Sequence, residues 1–480
     1  MSDTAAPDGP DAVPEVPAAP AAAPAPLRLL GRAAWLVGAL AFALRAVWVL
    51  AFARVPTGLS DPFLYHGYGL RIAAGRGYRS LVDDLTAYYP PGYPYLVGGL
   101  YKLADLVGLD GHRALVVGLA QSAMWAVAAM AVVVTGRALW EPPVPGGPGW
   151  GARAGVAGGL VLACWPNLIT YAGAYLSESI FVCVLAVALA ALSLAARAPA
   201  WGRRWWWSVA VAALFLGAAT MVRPQVLLGL PLVAVAWLVG GLGWRRTLVL
   251  AAACTVGVAG FVVPWAIRNQ GVFGHPVLVS TNGGDNLCVG FHPGAGGGFE
   301  IPPYCDTGEF WNNGHAAEFR RNGETRRRAV DWVTAHPAEL PWLSARKLWY
   351  TYRADDDGLQ AAESYGRDVF LGPPWRGLWV GLGHVYYALV MVAALVGLVV
   401  GSRRAWSARP RDAAVLAMVA MAVAGMLVPV LFFGDTRFKV PTTPLFALFA
   451  GLAVVAMTRW GRRDQPAPAQ DGGRPPDASS

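Results

Sequence analysis

An aspartate followed by proline, Asp61-Pro62, stands a short way beyond an apolar run over 33–52, among Tyr65, His66, Tyr68, Tyr88 and Tyr89. A carboxylate so close to a membrane-length run is a candidate general base for a substrate held at the membrane surface. Asp-Pro is also an ordinary helix start, so a purely capping Asp61 is the competing reading. Tyr88 and Tyr89, ahead of Pro90-Pro91, offer an aromatic wall for a sugar ring or simple loop packing. Tyr65 and His66 complete the candidate binding group, although His66 reads better as a surface histidine without function.

Five basic residues sit against the expected charge bias: Arg71, Arg223 in VRPQ, Arg268 ending VVPWAIRN, and Arg437 and Lys439 in GDTRFKVP. Charged groups this close to apolar surroundings are costly and tend to be functional. A guanidinium suits a lipid-linked phosphate, which it grips through two parallel hydrogen bonds. The alternative is snorkelling to lipid headgroups or pairing with an acid such as Asp435. For Arg268 and Arg437 together the phosphate reading is preferred. Glu178, in AYLSESIF, opens an apolar run, where a carboxylate complements the helix dipole or equally lines a polar cavity. Asn282 and Asn286, among Gly283, Gly284 and Gly290, would let backbone approach a sugar, or form a flexible glycine loop.

The elements that must position these groups follow from composition. Of 480 residues, 56% are hydrophobic and 14% charged, against about 25% charged in a soluble domain. Apolar runs cover 33–52, 114–135, 154–172, 179–196, 206–222, 225–241, 247–266, 378–400, 412–433 and 441–458, each near the length that crosses a hydrocarbon core. Segment 93–107 carries Lys102 and Asp105 and reads as an interfacial helix or a short extra span. The expectation is an all-α polytopic membrane protein of about ten to eleven transmembrane helices. Residues 1–26 and 464–480 read as disordered tails around a single domain, 27–463. The net charge of +9 reflects basic loops, not nucleic-acid binding.

Basic clusters at Arg28/Arg32, Arg197/Arg203/Arg204, Arg245/Arg246, Arg403/Arg404/Arg409/Arg411 and Arg459/Arg462/Arg463 belong in the cytoplasm. If 93–107 does not cross, the loops 53–113 and 268–376 then fall outside, with Asp61, Glu178, Arg223, Arg268 and Arg437. The long loop contains two amphipathic helices broken at His336-Pro337, with Trp332, Trp342, Leu343, Leu348 and Trp349 toward the membrane or the core. Cys288 and Cys305 share this loop and could pair if it lies outside. Cys164, Cys183 and Cys254 are packing residues, and the sequence has no metal-ligand spacing.

These pieces, in this order, resemble a known family: the first span, the loop aspartate, AAGRGY, YYPPGYPYLVGGLYKL, SESIF, LGAATMVRPQ, VVPWAIRNQGVFGHPVLVSTNGGDNL, AHPAEL and DTRFKVPTTPLFALFAG. Over about 33–460 the chain is similar to the GT-C superfamily of membrane glycosyltransferases, nearest its family 39 group, which includes protein O-mannosyltransferases and the lipid A aminoarabinose transferase. The resemblance implies transfer of a hexosyl or pentosyl group from a polyprenyl-phosphate donor on the extracytoplasmic face. The family's loop aspartate falls on Asp61 and its late arginine on Arg437. Protein mannosyltransferases have Asp-Glu where this chain has Asp61-Pro62, so the chain is not read as one of them, and the acceptor classes open to it are an envelope glycan, a lipid or a protein. Direct displacement would invert the anomeric centre. No cofactor is required by these residues, although the aspartate could also hold a divalent metal. A transporter or lipid flippase is the alternative class, which should show an inverted repeat or paired broken helices. Neither is evident.

Overall fold

A computed structural model describes residues 31–140, 150–309, 314–408 and 410–463. The expected tails, 1–26 and 464–480, and the basic residues Arg28 and Arg409 lie outside the described residues.

Every regular element among the described residues is helical. Eight helices are long and apolar enough to cross a membrane, and two shorter apolar helices, Trp150–Cys164 and Pro224–Val239, accompany them. The chain is an all-α polytopic membrane protein. The elements that matter for the site are α1 (Arg32–Phe52), α2 (Asp61–Ala73), α3 (Gly92–Leu106), α4 (Arg113–Trp140), α5 (Trp150–Cys164), α6 (Pro166–Thr170), α7 (Glu178–Arg197) and α8 (Arg203–Val222). After them come α9 (Leu230–Val239), α10 (Trp244–Phe273), α11 (Gly283–Gly290), α12 (His315–Ala335), α13 (Leu340–Tyr352), α14 (Asp357–Ala362), α15 (Pro373–Ser407), α16 (Ala413–Leu431) and α17 (Thr443–Arg463).

The last span sits at the centre: 83% of its apolar window is buried, against 17% for α10 and 28% for α15 at the periphery. Small residues make that burial close. A Cβ on Gly158 of α5 would fall 2.8 Å from the Ala447 carbonyl oxygen of α17. Between spans surrounded by lipid, backbone approach of this kind supplies van der Waals contact that a larger side chain would forbid.

The span expected over 154–172 stops early. Pro166 disfavours helical backbone at the residue before it, and Trp165 is extended, with φ −69° and ψ 111°. The chain restarts as the short α6, which carries Asn167 into the site described below. Segment 93–107 forms α3. Arg113 at the start of α4 donates to Asp105 at 2.9 and 2.7 Å, and Tyr101 reaches Tyr175 at 3.0 Å. The C-terminal half of α3 is thereby tied to the start of α4 and to Tyr175.

Two ends are chemically distinct. At one, Arg197 bonds Asp412 and the Leu139 carbonyl, each at 2.6 Å, and Arg246 bonds the Ala198 carbonyl at 2.9 Å. The other end gathers α2, α3 and the long insertion between α10 and α15. Within that insertion α12 and α13 are separated by a break at His336-Pro337. Trp332 and Leu343 are buried, whereas Trp342 and Trp349 project outward. Buried Glu318 of α12 holds the first loop: it accepts from the Thr86 hydroxyl at 2.5 Å, the Thr281 hydroxyl at 2.5 Å and the Ala87 amide at 2.9 Å.

Cys288 and Cys305 form a disulfide with Cα atoms 5.8 Å apart. Denaturing alkylation without reductant should therefore modify Cys164, Cys183 and Cys254 alone, and all five cysteines after reduction. Equal modification of Cys288 and Cys305 in both conditions rejects the bond.

Candidate active site

Asp61 opens α2, with Pro62 behind it fixing a backbone angle already suited to the first turn. It is not the cap, because Ser60 holds that position and makes no side-chain capping bond. The Asp61 carboxylate turns instead into the protein. One oxygen accepts from the Tyr89 hydroxyl at 2.5 Å, the other from Arg437 Nη1 at 2.7 Å. Burial alone would raise its pKa, but the Arg437 charge and the bonds from Tyr89 and Arg437 outweigh that, so Asp61 is held below the ordinary carboxylate value.

Arg437 lies in a 3-10 turn, Thr436–Thr442, between α16 and α17. The turn is capped by Asp435, whose carboxylate accepts the Arg437 amide at 2.9 Å. So Asp435 organises the backbone, while the guanidinium pairs elsewhere: with Asp61, and through Nε with Glu178 at 3.3 Å. Glu178 opens α7 and is fully buried. Arg223, at the end of α8, pairs with the same Glu178 oxygen and donates to Ser177 Oγ at 3.1 Å. Residues far apart in sequence thus form one chain of alternating charge: Asp61, Arg437, Glu178, Arg223. Losing one partner of a buried pair strands the other charge. Glu178→Leu should therefore destabilise the fold by about 3–5 kcal/mol, and Glu178→Gln by less, since Gln keeps its acceptor. Thermal unfolding in detergent measures this, and an unchanged Tm for the leucine variant would remove the pair from the stability of the site.

A second cluster adjoins the first. Lys439, wholly buried, lies 3.2 Å from Asp355 and 3.7 Å from Asp357 and donates to the Ala354 and Thr436 carbonyls at 2.7 and 2.8 Å. Asn167 of α6 donates to both aspartates at 3.0 Å, Trp165 to Asp355 at 2.7 Å, and Tyr171 to Asp357. Lys439 is therefore committed to holding the Arg437 turn against α14. Sequence reasoning passed over Asp355 and Asp357. Their available signal was three consecutive acids immediately after an amphipathic helix.

Beside these clusters opens a cavity of about 470 Å³, lined by Arg353, Asp356, Asp357, Gln360, Tyr365, Asp435, Arg437 and the glycine-rich stretch Gly296–Glu300. Arg437 is the group shared between this cavity and Asp61. Tyr365 is a further residue that the sequence did not flag. Ser364 and Tyr365 have φ of 50° and 53°, left-handed backbone that costs a non-glycine residue energy and marks functional segments when the surroundings enforce it.

The remaining candidates are placed as follows. Tyr65 packs against Tyr89 with the rings tilted at 44° and their centroids 4.8 Å apart, beside Asp61. Tyr88 donates to Asp285 at 3.0 Å in the adjoining loop cluster. His66 is not on the surface: its ring is half-buried and bonded to Tyr101 at 2.6 Å, because the aromatic face of α3 closes over it. Arg268 donates to the Thr86 and Tyr78 carbonyls at 2.7 and 3.2 Å and so fastens the first loop. Asn282 precedes α11 and accepts from the Ser280 hydroxyl at 2.9 Å, and Asn286 lies within α11. Neither asparagine lines the cavity. Among the described residues no group of three or more His, Cys, Asp or Glu could hold a metal ion. Both Asp61 oxygens are engaged, one by Tyr89 and one by Arg437.

No family model matches the chain, and no curated protein matches it. Solved structures do. The Archaeoglobus fulgidus oligosaccharyltransferase, in complex with Zn and sulfate, superposes with a TM-score of 0.53 at 14% identity, over 90% of this chain and 50% of that one. The chain shares the fold of that enzyme's matched half. A second structure of the archaeal enzyme, AglB in complex with an inhibitory peptide and a dolichol-phosphate, gives 0.52 at 12% identity, over 92% of this chain and 52% of that one. ArnT from Cupriavidus metallidurans bound to undecaprenyl phosphate gives 0.39 at 16% identity, over 89% and 77%. The chain thus spans about half the length of the oligosaccharyltransferase it matches.

Proposed function

We propose that this chain is a membrane glycosyltransferase that moves a sugar from a polyprenyl-phosphate donor to an acceptor on the extracytoplasmic face. The observation that carries the reading is Asp61 paired with Arg437 at the edge of a polar cavity, at one end of a GT-C bundle. Displacement of a sugar from a lipid phosphate needs three things: a base for the acceptor hydroxyl, positive charge for the departing phosphate and a polar space for the sugar. Asp61 supplies the base. Arg437, with Arg353 on the same cavity, supplies the charge. Asp356, Gln360 and Tyr365 supply hydrogen-bonding groups for hydroxyls. Attack by the acceptor oxygen on the anomeric carbon breaks its bond to the phosphate oxygen, and the acceptor proton passes to Asp61. A single displacement inverts the anomeric centre. The lipid-bound state of archaeal AglB, which holds a dolichol-phosphate, supports a lipid phosphate as the leaving group.

The domain is taken as 27–463, including the loops 53–113 and 268–376. The acceptor is an envelope glycan, a membrane lipid or a protein. The direct test is transfer from defined polyprenyl-phosphate sugars by the purified protein in detergent, alongside the envelope glycans of cells with and without it. Absence of any transfer, with unchanged glycans, would overturn the reading and favour a transporter or flippase. Orientation has its own test. A cysteine at Gly314 should react with an impermeant thiol reagent in intact cells, and one at Trp201 should not, because the basic clusters share the Trp201 end. The reverse pattern would invert the topology.

A further inference from the structure

We propose that Arg437 exchanges partners during the cycle: it rests on Asp61 when the donor is absent and moves to the donor phosphate when the donor binds, so that donor binding releases the base. The inference rests on the transferase reading above.

The geometry gives the guanidinium one fully buried partner and one partly exposed partner. Its Nε lies 3.3 Å from Glu178, a carboxylate with no exposed surface that a substrate cannot reach. Its Nη1 lies 2.7 Å from Asp61, whose side chain keeps 29% of its surface exposed. The backbone beneath does not need to move. Asp435 holds the Arg437 amide at 2.9 Å, and Lys439 holds the Thr436 carbonyl at 2.8 Å. Exchange is then a rotation of the side chain between Asp61 and the cavity that Arg437 already lines.

Asp61 also faces Tyr65 on its own helix, Tyr89 in the first loop and Arg223 from α8. Tyr365, before α15, interacts with both Asp61 and Arg437. Among these groups Arg437 is the cation that both touches Asp61 and lines the cavity. A phosphodiester offers two oxygens to the guanidinium fork, against the single Asp61 oxygen it now holds. Arg353, exposed on the same cavity with its guanidinium over the Tyr350 ring, adds a second cation for the anion. A carboxylate ion-paired to arginine is a poor proton acceptor. Once Arg437 has left, Asp61 keeps only the Tyr89 hydrogen bond and regains basicity.

The exchange makes Asp61 a competitor of the donor for Arg437, which gives a signature in binding alone. The probe is methyl farnesyl phosphodiester, a single-charged lipid phosphate with no sugar to transfer, titrated by intrinsic tryptophan fluorescence in detergent. Asp61→Asn should bind it several-fold more tightly than the parent, and Arg437→Gln more weakly than the parent. In the Arg437→Gln background, adding Asp61→Asn should bring no gain. A gain of equal size in that background would mean plain charge repulsion and overturn the exchange, as would unchanged or weaker binding by Asp61→Asn. If Arg437→Gln fails to fold, Arg437→Lys replaces it, and the Asp61→Asn gain should then shrink but persist. The binding cycle and the transfer assay fail separately. A full cycle without transfer would sink the transferase reading and keep the exchange, whereas transfer without the cycle would do the opposite.

Discussion

Asp61→Asn should lower sugar transfer by about a hundredfold or more, the typical contribution of a positioned general base, in a protein that still folds and binds donor. Asparagine keeps the size of the side chain and an oxygen for the Tyr89 hydroxyl, which now sits 2.5 Å from the carboxylate. It loses the charge that accepts the acceptor's proton. Little stability goes with it. Asp61 is partly exposed, and a carboxylate in the first turn of a helix contributes roughly 0.3–1 kcal/mol through the dipole. Arg437 keeps Glu178 as a partner. Parent and variant should therefore melt within a few degrees of each other while turnover collapses. Near-normal turnover in folded, donor-binding Asp61→Asn would take the carboxylate out of the chemistry and return it to the role of helix start.

The second large effect belongs to Arg437. Arg437→Ala should raise the donor Kd by about tenfold to a hundredfold, since a hydrogen bond to a charged group contributes roughly 1.5–3 kcal/mol. It should also lower kcat, because the same guanidinium stabilises the departing phosphate. A raised Kd together with a lowered kcat separates it from Asp61→Asn, which lowers kcat while phosphate binding tightens. Arg437→Lys should recover part of the binding and less of the rate. Lysine keeps the charge but cannot span Glu178 with one edge and a phosphate with the other. A lysine variant equal to the parent in both constants would show that the fork is irrelevant. An alanine variant that merely fails to fold would be judged by Arg437→Lys instead.

Much of the frame was legible without coordinates. Apolar runs of membrane length are local statistics, because a span must satisfy its own backbone and face lipid wherever it lies. Basic loops report which ends of the spans share a side for the same local reason. Asp61 and Arg437 stood out because a charge beside an apolar run is anomalous in its own neighbourhood. The break between α12 and α13 at His336-Pro337 was visible because proline acts on the residues next to it. The early end of α5 before Pro166 follows the same rule, yet the apolar count over 154–172 concealed it.

The pairing of charges was not legible. The one acid that the sequence offered Arg437 as an alternative partner was neighbouring Asp435, but the coordinates give Asp435 to the backbone and the guanidinium to Asp61, 376 positions away. Glu178 and Arg223 each read as isolated curiosities, though they form one buried pair. Lys439 read as a phosphate ligand, though two aspartates and two carbonyls already surround it. His66 read as exposed because nothing in its own segment says that Tyr101 lies against it. By itself the sequence determined that the chain is a bundle of apolar helices, which residues carry charge and where those charges are out of place. The tertiary structure alone decided which charge meets which, because an ion pair at the end of a helical bundle is set by how the spans pack, and that packing brings together residues between which no local pattern runs.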